Sequence, residues 1–238
     1  MTSYALNLGS AVTLPGSGYA KRIMFDLPVR AGLTGAYFFG EGETVALTNW
    51  GGSEPNTVVG APVWHDGYAE LDGSNYIQTG VAETAAMTVL AVIKRKTTGT
   101  NVALVGNYGG TGATGVALYV ASSNDDVDAN TGRAGGTSIC QATGNVDNWA
   151  LVSITVPSSG AMTIRDHTTG TSSASAATDA RVVNGVGDLR IGSFPSGNFD
   201  QPVNVAAVAT YSAALSSDDL NLMVGKLRAY AALHGITV

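Results

Sequence analysis

Short apolar runs, closed by breaks of glycine, asparagine, aspartate and serine, recur along the chain. Val152, Ile154 and Val156 alternate with Ser153 and Thr155, the period-2 signature of a strand with one buried and one wetted face. Residues 89–93 are apolar without interruption, so that strand should be covered on both faces. On the same grounds strands are expected at 36–39, 68–71, 76–78, 87–95, 102–105, 116–120, 149–156, 162–166, 189–191 and 203–211. They are rich in Val, Ile, Thr and aromatic residues, which suit a pleated, half-buried surface. Many short strands at this spacing predict an all-β fold, a two-sheet antiparallel jelly-roll sandwich.

One segment switches to the helical period. Leu220, Met223, Val224, Leu227, Ala231 and His234 share a face of a C-terminal helix expected at 216–234. Ser216 or Ser217 can cap it, Asp218 and Asp219 suit its first turn, and Gly235 stops it. The N-terminal stretch reads differently. Tyr4, Leu6 and Leu8 alternate, a Pro-Gly-Ser-Gly run at 15–18 breaks the pattern, and 22–27 suits one more short strand. Residues 1–31 are therefore expected to form an extended arm for attachment or oligomerisation, and 32–238 the jelly roll with its helix.

Composition narrows the classes. The 238 residues suit one domain, and 45% hydrophobic content supports a core. Charged residues make up 13%, about half the share of an average globular chain. A long-helix protein is excluded, because helical surfaces need Glu, Lys, Arg and Gln. The 31 glycines belong to the turns. The formal charge of −6, with no basic run beyond Lys94-Arg95-Lys96, argues against nucleic acid and against an anionic membrane surface. No apolar run approaches the ~20 residues of a membrane helix, and the start of the chain lacks the basic and apolar regions of a signal peptide. The single cysteine, Cys140, can form no internal disulfide and reads as a small buried hydrophobe.

The motifs carry little chemistry on their own. Gly110, Gly112 and Gly115 match a dinucleotide fingerprint, but a strand pattern follows where the phosphate-binding helix should start, so a glycine-rich hairpin is expected. Asp126, Asp128 and Asn130 have the alternate-oxygen spacing of a calcium loop. The turn glycine comes one place late, at Gly132, and Thr137 stands where the closing Glu should be. Two readings stay open there, a solvated acidic loop and a Ca2+ site. Glu41, Glu43 and Glu70 are the carboxylates that a glycoside hydrolase could use as its pair. His65, His167 and His234 have no second His or Cys at metal spacing. No catalytic constellation rises above chance, and the chain reads as a non-enzyme.

Aromatic residues in polar loops are the remaining signal. A sugar ring lies its C–H face on an aromatic while Asn, Asp, Ser and backbone atoms bond its hydroxyls. Trp50 with Asn49, Tyr108 with Asn107, and Phe194 and Phe199 with Asn198 sit in such loops and form the expected carbohydrate site. The alternative for each ring is to pack down on the rim of the sandwich. Trp64 and Trp149 adjoin strands and are expected in the core.

An ordered set of segments resembles the concanavalin A-like lectin/glucanase superfamily, in its laminin-G-like form. The set comprises GLTGAYFF at 32–39, WHDGYAELDGSNYI at 64–77, WALV at 149–152, DLRIGS at 188–193, the run 205–211 ending in Tyr211, and ALS at 214–216. The resemblance covers roughly 32–230 and implies a two-sheet sandwich with carbohydrate- or protein-binding function. The Glu-x-Asp-x-x-Glu strand of the superfamily's hydrolases is absent, which argues against catalysis. The Gly/Ser/Thr/Ala-rich surface, the arm and the absence of a leader are similar to bacteriophage virion proteins that carry such a jelly roll. The expectation is a virion accessory protein, made in the host cytoplasm, which binds host-surface polysaccharide and assembles with other virion proteins and with its own copies. The alternative is a purely structural capsid-decorating or baseplate role.

Overall fold

The computed structural model describes residues 26–238, except Pro55, 110–114, Asn124, 177–178, Val186 and Asn198. It is an all-β sandwich of two antiparallel sheets with one long C-terminal helix. The strands in chain order are β1 Leu33–Phe38, β2 Thr57–Val59, β3 Val63–His65, β4 Tyr68–Leu71, β5 Tyr76–Gln78, β6 Met87–Arg95, β7 Val102–Gly106, β8 Val116–Val120, β9 Val127–Arg133, β10 Gly136–Ala142, β11 Ala150–Val156, β12 Thr163–Asp166, β13 Thr171–Ala174, β14 Arg190–Ile191 and β15 Val203–Tyr211. A four-residue helix, α1 Glu43–Ala46, follows β1, and α2 Ser217–Leu233 closes the chain. The first sheet runs β13-β12-β11-β6-β15-β4-β3, with β1 also on β15; the second runs β10-β9-β8-β7-β14-β5-β2.

Side-chain alternation divides the interior into layers. Val89, Ala91 and Ile93 of β6 and Val152, Ile154 and Val156 of β11 point between the sheets, against Val116, Leu118 and Val120 of β8 and Val127 and Ala129 of β9. The other face of β6, Leu90 and Val92, meets α2, so β6 is covered on both sides as its unbroken apolar run predicts. Ser153, expected on a wetted face, is also covered: it is 1% exposed, and its hydroxyl lies 2.8 Å from His167 Nε2.

The helix α2 starts where Ser216 Oγ accepts the Asp219 amide and ends before Gly235, whose φ of +69° suits glycine. It buries Leu220, Met223, Val224, Leu227, Tyr230 and Ala231 on the outer face of the first sheet. Leu27 and Val29 are buried in the same layer, and the Tyr211 hydroxyl donates to the Val29 carbonyl. Most of the expected arm, residues 1–25, lies outside the described residues, as do five of the six positions of the expected glycine-rich hairpin at 110–115, all but Gly115.

Candidate functional site

The outer face of the second sheet holds an aromatic ledge beside polar strand positions. Val116, Leu118 and Val120 of β8 point into the core, so Ala117 and Tyr119 point out. On β9, Val127 and Ala129 point in, so Asp128 and Asn130 point out. Cross-strand pairing then sets two rows, Ala103–Tyr119–Asp128–Gln141 and Ala117–Asn130–Ile139. Tyr119 meets Phe199 edge-on at 5.0 Å, and Phe199 meets Phe194 at 5.4 Å. Tyr108 packs against the same cluster, and the Ser196 amide donates to its carbonyl. Gly106 makes this closeness possible, since a Cβ there would lie 2.2 Å from the Val116 carbonyl oxygen and 2.9 Å from the Phe194 ring.

Tyr108, Tyr119 and Phe199 are half-buried, whereas Phe194 is 2% exposed and forms the back of the ledge. At its foot Asp128 and Asn130 are 5% and 7% exposed, and Asn130 Oδ1 has no hydrogen-bond partner. Burial pushes the Asp128 carboxyl up to about 6, with the Asp126 charge adding to it and a Gln141 hydrogen bond opposing it. Burial also raises the Tyr119 phenol to about 12, with the Asp128 charge adding to the effect.

The structure divides the expected carbohydrate site. Tyr108, Phe194 and Phe199 come together, but Asn49 and Trp50 lie on the opposite face of the sandwich, against the layer under α2. Both have structural partners. Asn49 Oδ1 accepts the amides of Ala36, Gly51 and Gly52, and its Nδ2 donates to the Thr34 carbonyl. Trp50 Nε1 donates to the Val45 carbonyl at 3.2 Å, and its amide bonds Ala36. Asn107 is 0% exposed and fully used: its Nδ2 donates to Glu83 and Gly187, and its Oδ1 accepts the Val116 amide. Asn198 lies outside the described residues. Tyr119 was not among the expected residues, although the alternation of Val116, Leu118 and Val120 already turns it outward.

The residues considered for calcium lie differently from a metal loop. Asp128 and Asn130 belong to the regular strand β9, and Asp126 precedes it, with its Oδ1 accepting the Gly144 amide. An extended strand cannot wrap an ion, and no cluster of three His, Cys, Asp or Glu fit for a metal occurs among the described residues. Two of the three candidate hydrolase carboxylates lie against basic side chains. Glu70 pairs with Lys96 at 2.5 Å and lies 3.7 Å from His65, Glu41 lies 3.6 Å from His234, and Glu43 is exposed in α1. Trp149, expected in the core, is half-buried against Tyr68 on the outer side of the first sheet. Cys140 is buried and its thiol is pushed up to about 12, as suits a small hydrophobe.

No family model and no curated relative matches the chain. Solved structures do. The receptor-binding domain of botulinum neurotoxin D matches with a TM-score of 0.60 at 13% identity, over 86% of this chain and 53% of that one. The binding domain of botulinum neurotoxin DC, in complex with SialylT, matches with a TM-score of 0.61 at 10% identity, over 83% of this chain and 52% of that one. A mutant Trypanosoma rangeli sialidase displaying trans-sialidase activity matches with a TM-score of 0.58 at 13% identity, over 82% of this chain and 33% of that one. The chain thus spans about half the length of the toxin domains it matches and a third of the sialidase. At these identities the likeness is one of fold: a β-sandwich shared with receptor-binding domains and with a sialidase chain.

Proposed function

We propose that this protein is a non-catalytic carbohydrate-binding sandwich of the concanavalin A-like, laminin-G-like kind, with its site on the outer face of β7–β10. The observation that carries the reading is the unpartnered Asn130 Oδ1 beside the Asp128 carboxylate, at the foot of a half-exposed ledge of Tyr108, Tyr119 and Phe199. Rings supply the surface for a sugar's C–H face, and a sugar seated there would have to uncover the enclosed Asn130 oxygen to give it a hydroxyl proton. Two of the structural neighbours were determined with SialylT and with N-acetylneuraminic acid, which supports a sugar reading for this fold. The chemistry here favours a neutral glycan, because Asp126 and Asp128 would repel a sugar carboxylate.

The protein is further proposed to serve on a bacteriophage virion, with residues 1–31 as its attachment arm and host-surface polysaccharide as its ligand. The low charge and the Ser, Thr and Asn surface support this reading. The test is a glycan array on the wild type, Tyr119→Ala and Asn130→Ala. Each substitution should weaken binding roughly tenfold or more. Undiminished binding by a folded Tyr119→Ala variant would rule the site out. A wild type that binds no glycan, yet is present in purified virions, would establish the structural role instead.

A further inference from the structure

At one end of the sandwich, several buried hydrogen-bonding groups on one face of a hairpin lack partners. Thr131, Arg133 and Ser138 lie on the inward face of the β9–β10 hairpin, since Thr131 pairs with Ser138 and Arg133 follows Thr131 by two positions. Gly136 stands opposite Arg133 and brings no side chain. On the other side of β9 the chain at 180–182 adds a short bridge. Arg181 pairs with Arg133, the Ala134 amide bonds the Ala180 carbonyl, and the Val182 amide bonds the Gly132 carbonyl. Directly paired residues share a face, so the two arginines stand side by side.

The charges there do not balance. Arg133 is 2% exposed, and the Arg181 and Glu83 side chains are 0% and 1% exposed. Glu83 is already used, accepting from Arg181, Asn107 and the Asn184 amide. Two buried cations against one buried carboxylate leave one positive charge. Arg133 Nη1 donates to the Asp179 carbonyl, but its Nε and Nη2 have no partner. Arg181 Nε, Thr131 Oγ1 and Ser138 Oγ are also unpartnered, with Thr131 and Ser138 1% and 2% exposed. Burial lowers the Arg133 guanidinium from its ordinary value, and the exposed Asp179 only partly offsets this. An unpaired buried charge is among the most costly features a fold can hold.

We propose that this end of the sandwich binds one small inorganic anion, of chloride size, held by Arg133 Nε and Nη2 and by the hydroxyls of Thr131 and Ser138, with Arg181 beside it. The anion neutralises the extra charge and satisfies the orphaned donors together, which a water molecule cannot do. The near-complete enclosure of these side chains limits the occupant to a monatomic or similarly compact ion.

The test compares thermal unfolding of the full chain in sodium chloride and in sodium gluconate at equal ionic strength, with bromide-soaked crystals for anomalous scattering. Chloride should raise the melting temperature by about 5–11 °C once it exceeds its dissociation constant a hundredfold. Bromide should give a peak between Arg133, Thr131 and Ser138. Arg133→Met should abolish the chloride dependence. Ser138→Ala, which keeps the fold if Arg133→Met does not, should weaken it. Identical melting in both salts, a bromide-free water at the site, or the Asp179 carboxylate seated on Arg133 would each overturn the proposal.

Discussion

Asp128 sits on an outer sheet face at 5% exposure, with its carboxyl raised from 3.8 to about 6. The folded protein therefore holds this proton more tightly than the unfolded chain does. The destabilisation from its charge is absent below pH ~4, grows through the interval, and is complete above about 6. Asp128→Asn should accordingly stabilise the protein at pH 7 by roughly 1–3 kcal/mol, and by nothing at pH 4. Denaturant titration at the two pH values reads this directly. The same variant should bind glycan more weakly, because it replaces one acceptor oxygen at the foot of the ledge by an NH2 donor. Trp50 gives the opposite signature. Its indole is bonded to Val45 and its loop is pressed onto β1, where a Cβ on Gly51 would lie 2.7 Å from the Gly35 carbonyl carbon. Trp50→Ala should cost about 2–3 kcal/mol in denaturant while leaving glycan affinity unchanged. At this scale a sequence shows that Trp50 stands in a loop, but not that three backbone amides gather on its neighbour Asn49. Two of the Asn49 contacts, the Ala36 amide it accepts and the Thr34 carbonyl it donates to, reach 13 and 15 residues back along the chain.

Element by element, the strands with strong apolar alternation were legible at their full bounds: β4, β5, β6, β8 and β15 match the expected 68–71, 76–78, 87–95, 116–120 and 203–211. The β9–β10 hairpin was not. Its β9 sequence, VDANTGR, has only Val127 and Ala129 as apolar positions, and Asp, Asn and Gly are depleted in strands. Its strand state comes from pairing with β8 and β10, a tertiary override of local propensity, and the acidic run was therefore read as a loop. The candidate site and the proposed anion site both lie on this hairpin, so the part hardest to read is the part with the most chemistry. The helix α2 was legible because its period is local. Its contribution is also local to one layer: Leu227 is 0% exposed against the outer face of the first sheet. Leu227→Ala should cost about 2–5 kcal/mol, and Ser216→Ala about 1 kcal/mol by loss of the cap. Both effects are measurable by thermal unfolding, and neither should alter glycan binding.

The whole molecule has two unlike broad faces. The first sheet's outer face is closed by α2, with Leu27 and Val29 buried in the same layer. The second sheet's outer face carries the ledge and its acceptors. The described chain thus begins on the side opposite the proposed glycan site, and an arm anchored to a particle would present that site outward. Single sites of this kind bind weakly, and display in many copies raises avidity by roughly 10²–10⁴ without a new contact. Deleting residues 1–25 separates the two roles. Leu27 and Val29 remain, so the melting temperature and the affinity of the free protein for glycan should be unchanged. Incorporation into particles, followed by mass spectrometry of purified virions, should fall to background, and the avidity of the particles for glycan-coated surfaces should fall with it. Full incorporation of the shortened chain would remove the arm from the attachment role. Loss of glycan affinity in the free shortened chain would mean that the two faces are coupled, contrary to the layer that separates them.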